Sequence, residues 1–186
     1  MQRQSLADVV HAAQHGEQDA WDEIVRRFEG LLWSTARGFR LSSPAAADVV
    51  QTTWLRLVEH LGEIRDPDRL GAWLGTTIRH ECLRALRVAG RDVLTDEDAP
   101  FERGREDEPP VDAALLADDR DRQLWAAFGS LNAGCQQLLR LLSQDPPVAY
   151  DAIAEALGRP VGSIGPTRAR CLEQLGRAMV GAGFER

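Results

Sequence analysis

"GRPVGSIGPTRARCLEQL", Gly158 to Leu175, places three glycines, Gly158, Gly162 and Gly165, at the start of an amphipathic helical pattern. A glycine run that opens a helix either cradles the phosphates of a nucleotide or turns the chain between two helices. A phosphate loop needs a strand in front of it, with GK[ST] or GxGxxG in the turn, and neither motif is present. What precedes Gly158 is "YDAIAEAL", Tyr150 to Leu157, a second helical pattern. Two helices joined by a three- or four-residue turn containing glycine make a helix-turn-helix. Ser163 is placed to cap the second helix, with Pro166 at its third position, where the backbone N–H has no helical partner. At 100° per residue, Ile164, Cys171, Leu175 and Ala178 share one face, and Pro166, Arg170, Gln174 and Arg177 lie opposite. That outer face suits a major groove, although the pattern alone fits an ordinary surface helix equally well.

Working outward, the rest of the chain also repeats at helical spacing. Ser5 caps a short helix carrying Leu6, Val9 and Val10, and Trp21, Ile24, Val25, Phe28 and Leu32 form the next stripe. "SSPAAADVVQTTWLRLVEHLG" begins with Ser43 as N-cap and Pro44 at the first helical position, and stops at Gly62. After the loop "EIRDPD", Leu70, Trp73, Leu74, Ile78 and Leu86 mark another helix, which turns Arg79, Arg84 and Arg87 away from its apolar stripe. Leu124, Trp125, Phe128 and Leu131, then "CQQLLRLLS", complete the pattern. No useful strand alternation occurs, so the fold class is all-α.

Charge divides the chain. The net charge of -7 is concentrated between Asp92 and Arg122, where twelve Asp and Glu face four Arg. The proline-rich acidic stretch "RDVLTDEDAPFERGREDEPPVDAA" has too few apolar residues to fold and reads as a flexible linker, residues 91–118. It separates two small helical domains, residues 1–90 and 119–186. All 22 basic residues are Arg, whose planar fork suits phosphate and base edges. From Ile64 to Arg91 six Arg stand against three acids, which gives that helix a cationic face.

Other function classes find little support. Cys82, Cys135 and Cys171 are odd in number and far apart, which suggests neither a disulfide framework nor a zinc site. "HEC" at His80 is not HExxH, and His11 and His15 read as a solvated helix face. No nucleophile–base pair, carboxylate dyad, metal site or cofactor motif offers a start for catalysis. The first twenty residues lack the apolar centre of a signal peptide, and no window suits membrane insertion, so the expected location is cytoplasmic.

"DVVQTTWLRLVEHL" followed by "GAWLGTTIRHECLRALR" resembles the promoter-melting domain of bacterial sigma factors. "AYDAIAEALGRPVGSIGPTRARCLEQL" is similar to their C-terminal helix-turn-helix domain. Order and spacing match the small extracytoplasmic-function (ECF) group of the sigma-70 family, over about residues 5–90 and 119–180. The resemblance implies a non-enzymatic subunit that gives core RNA polymerase its promoter specificity. It places polymerase binding at Asp48, Gln51, Leu55 and Arg56. It places minus-ten DNA binding at Arg65, Asp66, Arg69, Arg79, His80, Arg84 and Arg87, where a flipped base would be held. It places minus-thirty-five binding at Ser163, Thr167, Arg168, Arg170, Gln174 and Arg177. His80 and Arg84 depart from the usual Asn and Asp, and Gly165, Pro166 and Arg168 depart from the usual reading-helix residues. Arg168 projects near the apolar stripe, so it snorkels or the helix is rotated. Trp54 and Trp73 read as core. The implied partners are core RNA polymerase, promoter DNA and an anti-sigma factor. The alternatives are another helix-turn-helix regulator, or a helical protein-binding module without DNA contact.

Overall fold

The structure, a computed structural model, describes residues 5–90 and 119–181; the acidic stretch read as a linker lies outside them. The front half contains α1 (Leu6–Gln14), α2 (Gln18–Gly38), α3 (Ser43–His60) and α4 (Leu70–Val88), with 3-10 turns at Leu61–Glu63 and Pro67–Arg69. The rear half contains α5 (Asp119–Gly129), α6 (Ala133–Leu142), α7 (Tyr150–Leu157) and α8 (Val161–Gly181). No strand occurs among the described residues, in keeping with the all-α expectation.

Local chemistry sets the boundaries. The Ser5 hydroxyl accepts the Asp8 N–H at 3.1 Å, and Asn132 Oδ1 accepts the Cys135 N–H at 2.8 Å, so both side chains satisfy open helix donors. Gly158 ends α7 in the left-handed region, φ 64°, where a side chain would be strained. Two starts differ from expectation. α3 starts at Ser43, with Ser42 at the cap position but no side-chain cap bond, so Pro44 sits at the second position. α8 begins at Val161, so Ser163 lies inside it and its hydroxyl donates back to the Pro160 carbonyl at 2.7 Å. Pro166 therefore falls within the helix, where it removes the bond its N–H would have given the Gly162 carbonyl.

The core is built from Ile24, Leu31, Leu32, Leu57, Leu70, Leu74 and Ile78 in the front half and Leu138, Leu141, Ile153 and Ile164 in the rear, all buried. Burying each such side chain contributes about 1.5–3 kcal/mol. Val25, Leu124 and Trp125, read as stripe residues, are exposed instead.

The two halves pack on each other, and glycine makes this possible. α4 lies closely against α7, with Gly71 and Gly75 facing Ala152 and Ala156. A methyl group at Gly75 would lie 2.5 Å from the Ala152 carbonyl oxygen and 3.0 Å from the Ala156 nitrogen. Thr76 Oγ1 donates to Glu155 Oε2 at 2.9 Å beside them. A second seam joins α2 to α6, where the Gln137 and Gln144 side chains occupy the space over Gly38 and Gly30. Gln144 also donates to Ser34 Oγ at 3.1 Å.

Gly75→Ala tests this packing through the sign of its effect. In an isolated helix alanine is more stable than glycine by about 1 kcal/mol. Against rigid backbone the added methyl overpacks, at a cost of about 1–3 kcal/mol. The urea midpoint is expected to fall and the X-ray scattering radius to rise. A more stable variant of unchanged size would mean that α4 and α7 do not meet in solution.

Candidate nucleic-acid interface

α3 offers one unpartnered face. Val49, Val50, Thr53 and Leu57 are buried, which turns Asp48, Gln51 and Leu55 outward at helical spacing. Leu55 is 56% exposed, and Val58, missed in the sequence, extends the patch at 61% exposure. Arg56 does not share this face. It crosses to α4, where its Nε donates to Glu81 Oε1 at 2.7 Å, while Arg84 Nη1 lies 3.9 Å from the other Glu81 oxygen.

That ion pair floors a cleft of about 550 Å³ between the end of α3, the two 3-10 turns and α4. Arg65, Asp66, Arg69 and His80 stand on its border, all exposed. Asp66 also accepts the Asp68 N–H at 3.2 Å, which shapes the Pro67–Arg69 turn. His60 and Trp73 line another wall, their rings 6.4 Å apart and tilted at 58°. Trp73 fits the core reading only in part, since it packs on the core and also borders the cleft. His60, Thr77 and Glu81 were not singled out in the sequence. His60 and Glu81 carried a signal, as polar residues near the loop on the two helices that flank it.

Three of the expected minus-ten residues lie elsewhere. Arg84 and Arg87 are exposed further along α4, beyond the cleft lining, and Arg87 Nε donates to the Leu83 carbonyl of its own helix at 3.3 Å. Arg79 turns to the rear half, where its guanidinium packs over Gly158 at a spacing that leaves no room for a Cβ. Its Nε is buried without a hydrogen-bond partner. The C-terminal end of α7 carries negative dipole, which suits the charge lodged there.

On α8, Ile164 and Cys171 are buried and Leu175 is half-buried, matching the projected inner face. Pro166, Arg170 and Arg177 are exposed, and Arg170 Nη2 donates to Thr167 Oγ1 at 3.4 Å. Arg168 is exposed too, with Nη1 donating to the Tyr150 hydroxyl at 3.2 Å, so it neither snorkels nor forces a rotation. Gln174 is half-buried rather than opposite the core, with Oε1 3.6 Å from Cys135 Sγ. The cysteine reading also needs correction. Cys135 and Cys171 form a disulfide between α6 and α8, because helix packing brings together residues 36 apart in the chain.

Arg56→Ala is expected to lower stability by about 1–2 kcal/mol, because the Glu81 carboxylate, 12% exposed, loses its nearest partner. Urea unfolding measures this, and an unchanged midpoint would show that the pair does not brace the cleft.

Among the described residues no group of three or more His, Cys, Asp or Glu could hold a metal ion. None of the helices there is long and apolar enough to cross a membrane. Residues 24–92, which carry both the α3 face and the cleft, match the Sigma-70 region 2 family. The RNA polymerase sigma-H factor of Pseudomonas aeruginosa is 25% identical over 180 residues, 92% of each chain. The fold is similar to that of CnrH, solved in complex with the cytosolic domain of CnrY, with TM-score 0.54 and 22% identity over 93% of this chain and 96% of that one. Residues 24–92 thus carry the Sigma-70 region 2 match, in a chain that is similar to a sigma factor along nearly all of its length.

Proposed function

We propose that this is an ECF-type sigma factor that acts in the cytoplasm without catalysis of its own. It binds core RNA polymerase, directs it to promoter DNA and helps to open the duplex. The observation that carries this reading is the aromatic-walled cleft, bordered by Arg65 and Arg69, within the segment that matches Sigma-70 region 2. The exposed Asp48, Gln51, Leu55 and Val58 face serves as the polymerase dock, because a mixed polar and apolar patch on a rigid helix suits a protein partner. Arg65, Arg69 and His80 meet the displaced strand at the cleft. His60 and Trp73 offer aromatic surface to an extruded base, and this offsets the few kcal/mol that flipping costs. Arg84 and Arg87 extend the cationic track, and Thr167, Arg170 and Arg177 present the outer side of α8 to the minus-thirty-five duplex.

Two domains, residues 1–90 and 119–186, joined by the acidic linker 91–118, make this workable. Elements near minus ten and minus thirty-five are about 25 base pairs apart, roughly 80 Å of duplex at about 3.4 Å per pair. A compact body of about 150 residues has a radius of gyration of about 15 Å and spans only about 40 Å. The α4–α7 contact must therefore open before both elements are engaged. An anti-sigma factor that holds the closed form, or covers the polymerase-binding face, would keep the protein idle. CnrH in its complex with CnrY supports such a partner.

Run-off transcription with purified core polymerase on genomic fragments tests the reading. Initiation is expected to require this chain, and Gln51→Ala is expected to reduce it about fivefold or more through weaker docking. Arg65→Ala with Arg69→Ala is expected to lower the salt slope of open-complex formation by about 0.7 per lost single-strand phosphate contact. Initiation that proceeds without the chain would overturn the proposal. Full activity of Gln51→Ala would remove α3 as the dock.

A further inference from the structure

The Cys135–Cys171 pair sits where it controls the attachment of α8. Only two residues of α8 are buried, Ile164 near its start and Cys171 at its middle. Ten more residues follow Cys171 before the helix ends at Gly181, with Leu172 44% and Val180 69% exposed. Cys135 stands in the first turn of α6, held by the Asn132 cap, with its Cα 5.3 Å from that of Cys171. The sulfur bridge is thus the last fully buried anchor of α8 before Arg177.

We propose that Cys135 and Cys171 form a redox modification site that reversibly pins the DNA-facing helix to its own half of the protein. This rests on the reading of α8 as the minus-thirty-five helix. In a reducing cytoplasm a disulfide is transient and serves sensing more often than structure. The substrate class is a small hydroperoxide, since Cys135 is 6% and Cys171 0% exposed and neither admits a bulky oxidant. Cys135 is the first to react: it is the more exposed, and the helix N-terminus favours its thiolate. The thiolate attacks one peroxide oxygen, the O–O bond breaks, and hydroxide leaves and is protonated to water, giving a sulfenic acid. The Cys171 thiol then attacks that sulfur, a second water leaves, and the S–S bond forms. Two thiols and one hydrogen peroxide thus give one disulfide and two waters. A dithiol reductant reverses this by two exchange steps and is itself oxidised to a disulfide.

In the dithiol state a Cys135 thiol would donate to Gln174, whose Oε1 lies 3.6 Å away, in place of the covalent tie. The end of α8 then rests on half-buried Leu175, Ala178 and Met179. The third cysteine stays silent. Cys82 is fully buried in α4, and burial, with the Glu81 charge adding to it, pushes its thiol up to about 12.

The full-length chain is fully reduced, treated with stoichiometric hydrogen peroxide, and its free thiols are alkylated and weighed. One intramolecular disulfide is expected, lost in Cys135→Ala and in Cys171→Ala and kept in Cys82→Ala. Hydrogen exchange across residues 172–181 of the unmutated chain is expected to be about tenfold or more slower when oxidised. Binding to a minus-thirty-five duplex is expected to weaken severalfold on reduction. Two unmodified thiols after peroxide, or equal exchange in both states, would overturn the proposal. A disulfide that slows exchange while neither state binds DNA or supports transcription would leave the redox site standing and defeat the promoter-binding reading instead.

Discussion

The contact of α4 with α7 is the constraint on which the closed structure depends. It brings two helix backbones close enough that one added methyl meets a carbonyl oxygen, and only glycine at position 75 permits this. The small surfaces of Ala152 and Ala156 complete the fit. Little apolar area is needed, because close approach gains dispersion along the whole crossing. Polar groups at the seam, Thr76 with Glu155 and Ser34 with Gln144, are bonds that water can replace on opening. Small and polar residues along such a seam suit surfaces that part and rejoin, although the buried residues of the two halves form one continuous cluster.

The same contact explains why the arginines of α4 have different fates. Side chains on the rim of the cleft face solvent, while Arg79, one turn beyond Gly75, is carried into the seam and lodged over Gly158. A guanidinium with a buried, unpaired Nε gains partners once the halves separate, and a phosphate is such a partner. Opening therefore exposes a further cation on the helix proposed to track the melted strand. The disulfide acts within the rear half alone, so the two devices are independent: one sets whether the halves part, the other how firmly α8 is held.

Much of the fold was legible in the sequence because apolar residues repeat at helical spacing from Leu6 to Leu175 and no stretch alternates. The cap at Ser5 was legible because its side chain makes the bond. The start of α8 was not, since Ser163 looks like a cap while its hydroxyl turns back to Pro160. The sequence indicated that Asp48, Gln51 and Leu55 share a face, but it could not show that Arg56 reaches Glu81 from another helix. Tertiary proximity was the common blind spot. It hides the Cys135–Cys171 pair, the placement of Arg79, and the role of glycines on α2 and α4 whose spacing resembles ordinary helix interior.

Opening of the seam is measurable directly. Asp19 on α2 and Glu173 on α8 are both exposed, and dyes attached at these positions report the separation of the halves by energy transfer. Efficient transfer in the free chain that drops when core polymerase and promoter DNA are added together is the expected result. Transfer that is already low in the free chain, or stays high in an actively initiating complex, would contradict a closed form that must part to read both promoter elements.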